Sequence, residues 1–270
     1  MSFPQDLVDE ILNNLPLDDM EDELSLQNCS LVAKSWTNPS QKRLFETVVI
    51  TKANRQLWLK NISPTNIELL RHVRSLSITS FDTPTWQVPF LEYIDIDDLY
   101  DYFPSFHQLH TIELRGLHIS SDIPQRMEMF SSCQQSLSSL FFVGSSLRWH
   151  SFIALIDYFP NLRHLELQGL SFENINSDPP PLSRPLRGKL GLHIFEAFNL
   201  IDFSNWFTGL EVEYEELAVN VGHTTGIYSQ TIVTACEKTL KYLKIGFREC
   251  IVPLTMLQTS ANQTLKWTTL

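Results

Sequence analysis

A spaced apolar pattern recurs along most of this chain and constrains its fold more than any other feature. Its form is apolar-x-x-apolar-x-apolar, as in Leu109-x-x-Ile112-x-Leu114. Copies begin at residues 45, 73, 109, 137, 162, 187, 214 and 240, and the copy at 187 is weaker than the others. The resulting separations of 28, 36, 28, 25, 25, 27 and 26 residues are typical of repeat proteins.

Each copy indicates a short strand with alternating inward apolar residues, followed by a segment that returns the chain. One unit alone cannot bury its apolar side, so neighbouring units must stack and place their strands side by side. The return segments that can be interpreted have helical spacing, notably residues 149–159 before the strand at Leu162. The sequence therefore predicts an α/β fold in which residues 47–270 form an irregular solenoid with a parallel sheet. Residues 265–270 match the pattern weakly and predict a ninth strand.

The residues between the inward positions of each strand point to the opposite face of the sheet. They predict one outward row of Thr111, Ser139, His164, Lys189, Glu216 and Tyr242, and a second of Glu113, Phe141, Glu166, Gly191, Ala218 and Lys244. Outward aromatic side chains often anchor protein interfaces, although exposed strand positions are mixed and polar in many sheets. We expect this face to be concave and to bind a target protein. The candidate residues are Thr111, Glu113, Phe141, His164, Glu166, Lys189, Glu216, Tyr242 and Lys244.

The first 46 residues follow a different pattern, which predicts three short helices. Pro4 suits a first helical turn, and a broad apolar face follows it at helical spacing. That face consists of Leu7, Val8, Ile11, Leu12 and Leu15. A second helix is predicted from the spacing of Cys29, Val32, Ala33 and Trp36, and a third from the Asn38-Pro39 cap to Leu44-Phe45. Three helices of this size cannot bury all of this apolar surface internally, so part of it must face another surface.

This N-terminal stretch resembles an F-box, in the form common in fungal F-box proteins. The matching residues are Pro4 with Leu7, Val8, Ile11 and Leu15, the run CSLVAKSW from Cys29 to Trp36, and Arg43-Leu44-Phe45. Phe3 stands where the family usually has Leu or Ile, and residues 18–23 are more acidic than in many members. Such proteins often carry degenerate leucine-rich repeats behind the F-box. The resemblance thus divides the chain into an F-box at 1–46 and repeats at 47–270.

The resemblance implies a substrate-recognition subunit of an SCF-type cullin–RING ubiquitin ligase. The F-box would bind a Skp-type adaptor and, through it, a cullin scaffold, while the repeats would hold the target. The residues implied for adaptor contact are Pro4, Leu7, Val8, Ile11, Leu12, Leu15, Leu31, Val32 and Trp36. Two alternatives remain open: an F-box interaction protein that acts outside ubiquitination, and a non-catalytic repeat scaffold whose N-terminus only caps the repeats.

Composition and motifs argue against several other functions. The formal net charge of −11 disfavours nucleic acid and anionic membranes as partners. The chain contains no P-loop, GxGxxG, GxSxG or HExxH motif, so we expect neither an enzyme nor a cofactor. The four cysteines lack metal or disulfide spacing and no signal peptide is evident, which favours a cytoplasmic or nuclear location.

Two clusters of metal-ligand residue types are candidate metal sites. Asp95, Asp97, Asp98 and Asp101 follow Glu92, but Tyr100 stands where a calcium loop starting at Asp95 requires glycine. His107 and His110 lack a third ligand at zinc spacing, which predicts surface residues. We therefore expect no metal. Residues 177–187 hold four prolines and predict a loop.

Overall fold

The computed structural model describes residues 5–14, 25, 27–29, 31, 34–61, 70–80, 106–119, 123–173, 182–193, 197–221 and 226–247. The acidic cluster between Glu92 and Asp101, the prolines at 179–181 and the ninth copy at 265–270 lie outside these residues.

Eight parallel strands form the main sheet, and their order across the sheet follows their order along the chain. Strands are numbered here in chain order. The members of this sheet are β1 (Thr47–Thr51), β2 (Ser75–Thr79), β3 (Thr111–Arg115), β5 (Ser139–Val143), β7 (His164–Gln168), β9 (Leu186–His193), β10 (Val212–Val221) and β11 (Tyr242–Phe247). Each of the eight predicted copies contributes one strand, which confirms the parallel sheet. β9 begins at Leu186, so the predicted loop at 177–187 ends earlier than expected.

The inward residues of the repeated pattern form continuous ladders across this sheet. One ladder pairs Val48, Leu76, Ile112, Leu140, Leu165, Leu190, Leu217 and Leu243 in register. Its members from Val48 to Leu217 are at most 5% exposed, as the period of two predicts. Leu243, on the last of the described strands, is only partly buried.

A second sheet of three short parallel strands lies beside the first and was not predicted. It consists of β4 (His118–Ile119), β6 (Ser146–Arg148) and β8 (Ser171–Glu173). Gly116, Gly144 and Gly169 lie between the long and short strands of their repeats, with φ of 61°, 58° and 58°. These left-handed backbone angles favour glycine and turn the chain from one sheet into the other.

Helices pack on the inward side of the main sheet and complete the core. They include a 3-10 helix (Ile123–Phe130) and the helices numbered here α4 (Trp149–Tyr158), α5 (Ala197–Thr208) and α6 (Gly226–Ala235). The helix expected at 149–159 is therefore confirmed. Trp149 and Phe152 of α4 stack with centroids 5.7 Å apart, and Phe203 and Trp206 of α5 close around them. These aromatic contacts hold α4 and α5 together on the sheet.

The N-terminal segment is helical, but its boundaries differ from the prediction. α1 spans Gln5–Asn13 and α2 spans Lys34–Leu44. The predicted cap at Asn38 is wrong, because α2 continues through Pro39 as one helix. Pro39 cannot donate the backbone hydrogen bond of an interior position, and α2 retains its helical path without that bond.

α3 (Lys52–Asn61) follows β1 directly, and Thr51 starts it. The Thr51 hydroxyl accepts a hydrogen bond from the Asn54 backbone N–H at 3.1 Å, which satisfies one free donor of the first turn. Among the helices in the described part of the chain, none combines the length and apolar character required to cross a bilayer.

Candidate protein-binding face

The outward face of the main sheet carries both predicted rows, in the predicted register. Across β3 to β11, the first row runs through Thr111, Ser139, His164, Lys189, Glu216 and Tyr242. The second runs through Glu113, Phe141, Glu166, Gly191, Ala218 and Lys244. The candidate residues on β3, β5 and β7 are partly buried, whereas Lys189, Glu216, Tyr242 and Lys244 are exposed.

Both outward rows begin on β1 and β2, two strands earlier than predicted, and Thr47 and Ser75 belong to the first row. In the second row, Val49 of β1 pairs with Ser77 of β2, and Ser77 pairs with Glu113 of β3. Val49 is 45% exposed, which adds an apolar position to the outward face. The signal was present in the first two copies of the repeat, whose middle positions are these residues.

Glu113 is neutralised by its neighbours. The Arg115 guanidinium Nη2 lies 2.5 Å from Glu113 Oε1, and the Ser77 hydroxyl donates to Glu113 Oε2 at 2.9 Å. Ser77 lies on the adjacent strand β2 and Arg115 on the same strand as Glu113, both at outward positions. This carboxylate is therefore paired within the face.

Glu166 has a different environment, because its neighbours are imidazoles. Its two carboxylate oxygens lie 3.5 Å from His164 Nε2 and 3.6 Å from His193 Nε2. Burial lowers the pKa of His164, and Lys189 acts in the same direction, while Glu166 and Glu216 oppose the shift. His164 Nε2 is enclosed and makes no well-formed hydrogen bond, and protonation of either imidazole would turn its contact with Glu166 into an ion pair.

Gly191 leaves the space that the Glu166 side chain occupies. A Cβ at Gly191 would lie 3.0 Å from Glu166 Cγ and 3.4 Å from its Cδ. Glu166 therefore rests on the backbone of β9, in space that a side chain at position 191 would occupy. On the other side of Glu166, Phe141 contacts the His164 ring edge to face with centroids 4.7 Å apart.

A line of ion pairs marks the edge where the strands begin. Arg187 pairs with Glu213 at 2.8 Å, and Lys241 pairs with Glu215 at 2.9 Å. The four side chains are between 48% and 61% exposed, so these pairs add little stability. Each pair neutralises its own two charges.

The predicted adaptor-binding residues fall into two groups on the N-terminal helices. Val8 and Leu12 are buried in a cluster of their own, with Cys29, Trp36 and Leu44 packed against them. In contrast, Leu7 is 42%, Ile11 37% and Leu31 82% exposed. The single broad apolar face predicted on α1 therefore consists of two stripes. Val8 and Leu12 form the covered stripe, and Leu7 and Ile11 form the open stripe. Pro4, Leu15 and Val32 lie outside the described residues.

Other candidate chemistry is weak in the part of the chain that the structure describes. No group of three or more His, Cys, Asp or Glu residues there could hold a metal ion. His107 and His110 are exposed, as predicted, and His110 Nδ1 lies 2.9 Å from the Ser136 carbonyl oxygen. Burial raises the pKa of both Cys133 and Cys236 to about 12, which makes these thiols poor nucleophiles.

Comparison with protein-family models finds no match to this chain, and comparison with curated proteins finds none either.

Proposed function

We propose that this protein is an F-box protein whose repeats form a leucine-rich-repeat solenoid, and that it serves as a substrate-recognition subunit of an SCF-type ubiquitin ligase. In this role the N-terminal helices bind a Skp-type adaptor, which connects them to a cullin. The outward face of the repeats holds the target. Neither part performs chemistry; the assembly raises the local concentration of target lysines near the ubiquitin-charged enzyme.

The observation that carries the proposal is the open apolar stripe on α1. Leu7 and Ile11 lie one helical turn apart on the same side, 42% and 37% exposed, while the Val8 and Leu12 stripe is buried. Burying one such side chain completely stabilises a complex by roughly 1.5–3 kcal/mol, and these two are partly covered already. Leu31, at 82% exposure, adds to the apolar surface of the N-terminal helices. A binding partner for these helices explains why this surface is apolar.

The repeats support the second half of the proposal. Strand order follows chain order, and most repeats are 25 to 28 residues long, which suits a solenoid built from one strand per unit. The outward face combines aromatic, acidic and basic side chains, a mixture that suits recognition of a folded or extended protein. The location that follows from this role is cytoplasmic or nuclear.

Co-purification with a tagged Skp-type adaptor tests the proposal. The double variant Leu7→Ala, Ile11→Ala should lose adaptor while keeping the wild-type melting temperature, because both side chains are exposed. Leu57→Ala is the matched control, since Leu57 is 60% exposed on α3, away from the α1 stripe. Wild-type recovery of adaptor by the double variant would contradict the adaptor assignment. Recovery of cullin in the same complex separates ubiquitin ligase assembly from a two-protein complex.

A further inference from the structure

Glu166 is a partly buried carboxylate near the centre of the outward face, and its ion-pair neighbours among the described residues are two imidazoles, His164 and His193, rather than an arginine or lysine. Its side chain is 27% exposed, and both neighbouring imidazole nitrogens lie at 3.5 Å or more. Charge-assisted hydrogen bonds are shorter, at roughly 2.7–2.9 Å. Burial lowers the pKa of His164, which favours its neutral form, and the His193 nitrogen lies no nearer to the carboxylate.

Three other carboxylates on the sheet are paired with an arginine or lysine, and Glu216 on the outward face is exposed to solvent. The pairs are Arg115–Glu113, Arg187–Glu213 and Lys241–Glu215, at 2.5, 2.8 and 2.9 Å. Glu213 and Glu215 are 48% and 55% exposed, so water also solvates them well. Glu166 combines less solvent with no arginine or lysine in ion-pair contact among the described residues, so a cation from outside the chain would gain a favourable contact there.

Phe141 lies directly beside Glu166. The two residues pair in register on β5 and β7, which places their side chains on the same face of adjacent strands about 4.8 Å apart. The Phe141 ring is partly exposed and is steadied by its edge contact with His164. An aromatic ring beside a carboxylate attracts a cation, because both the face of the ring and the carboxylate are negative.

We propose that Phe141 and Glu166 bind an arginine side chain of the target protein. A guanidinium is planar, stacks on aromatic rings and donates two parallel hydrogen bonds to a carboxylate, so one group satisfies both residues. The net charge of −11 favours approach of a basic segment. This inference rests on the proposed role of the outward face in holding a target, and it specifies the chemistry of that target.

Fluorescence anisotropy with the full-length protein tests the inference, using a labelled oligo-arginine peptide and its neutral oligo-citrulline counterpart. Wild type should bind the arginine peptide and not the citrulline peptide. Glu166→Gln should weaken binding about tenfold and Phe141→Leu about threefold, the ranges expected for a lost charge pair and a lost cation–π contact. Glu237→Gln is the control for net charge, because Glu237 is exposed in the turn after α6.

Melting temperatures establish that each variant is folded before binding is compared. The inference is overturned if Glu166→Gln binds the arginine peptide as wild type does, or if Glu237→Gln loses as much affinity as Glu166→Gln. Should Glu166→Gln fail to fold, Phe141→Leu decides the matter, and wild-type affinity in that variant overturns the inference. The peptide-binding assay contains no adaptor. A negative result there would overturn the arginine-binding inference without affecting the adaptor co-purification, so the two proposals are tested independently.

Discussion

Gly188 and Arg163 approach each other more closely than any side chain at position 188 permits. A Cβ added to Gly188 would lie 2.2 Å from the Arg163 carbonyl oxygen, and the φ of Gly188 is 92°. That carbonyl accepts a hydrogen bond from the Lys189 backbone N–H at 2.7 Å, so it cannot shift without loss of a bond between β7 and β9. Gly188 therefore supports the register of β9, the strand formed by the weakest copy of the sequence repeat.

Gly188→Ala should destabilise the protein by more than about 2 kcal/mol, because both the backbone angle and the carbonyl contact are strained. Gly144→Ala is the comparison, since its φ is 58° but no atom lies within 4 Å of the added Cβ. It should cost only about 1 kcal/mol, from the backbone angle alone. Urea denaturation measures both, and equal losses would show that the contact with Arg163 contributes nothing.

Leu165 and Leu243 occupy equivalent inward positions but differ in burial. Leu165 is 2% exposed, so Leu165→Ala should destabilise by about 2–5 kcal/mol through the cavity it leaves. Leu243 is only partly buried at the last described strand, and its replacement by alanine should cost about 1–2 kcal/mol. His164→Ala, one residue from Leu165, should cost under about 1 kcal/mol. Thermal unfolding that ranks His164→Ala with Leu165→Ala would contradict the assignment of the two faces.

The lowered pKa of His164 predicts a specific dependence of stability on pH. Above its ordinary pKa of 6.5 the residue is neutral in both folded and unfolded chains and has no effect. As the pH falls below 6.5, the unfolded chain takes up a proton more readily than the folded one, so stability decreases. His164→Gln should reduce the loss of unfolding free energy between about pH 7.5 and about pH 5.5. Equal losses in wild type and His164→Gln would contradict a role for His164 in this pH dependence.

Sequence reasoning predicted the main sheet well, because burial enforces a period of two in every strand. Even the copy at 187, where only Leu190 and Leu192 fit the pattern, is a paired strand of the sheet. The rows on the outward face followed from the same alternation. The partial exposure of Leu243 did not follow, because it depends on what lies beside the last strand rather than on the residue itself.

The second sheet escaped prediction because its strands are only two or three residues long and carry no repeating apolar code. A glycine directly after β3, β5 and β7, at 116, 144 and 169, was the usable signal. Pro39 misled the prediction in another way. Proline favours a first helical turn, but here α2, which packs against α1, continues through Pro39 as one helix.

The separation of Leu7 and Ile11 from Val8 and Leu12 could not be predicted from periodicity alone. All four positions fit one wide apolar arc on a helix. Which part of that arc is covered depends on where Trp36 and Leu44 pack, a tertiary feature. Under the proposed adaptor role, Leu7, Ile11 and Leu31 are therefore the described residues available for contact.

Hydrogen exchange of the full-length protein, with and without a purified Skp-type adaptor, tests the central claim most directly. If the N-terminal helices bind the adaptor through the open stripe, backbone amides of α1 should exchange more slowly in the complex. Amides of β3, β5 and β7 should exchange at unchanged rates, leaving the outward face available for a target. Unchanged exchange throughout α1, or protection confined to the main sheet, would contradict the account.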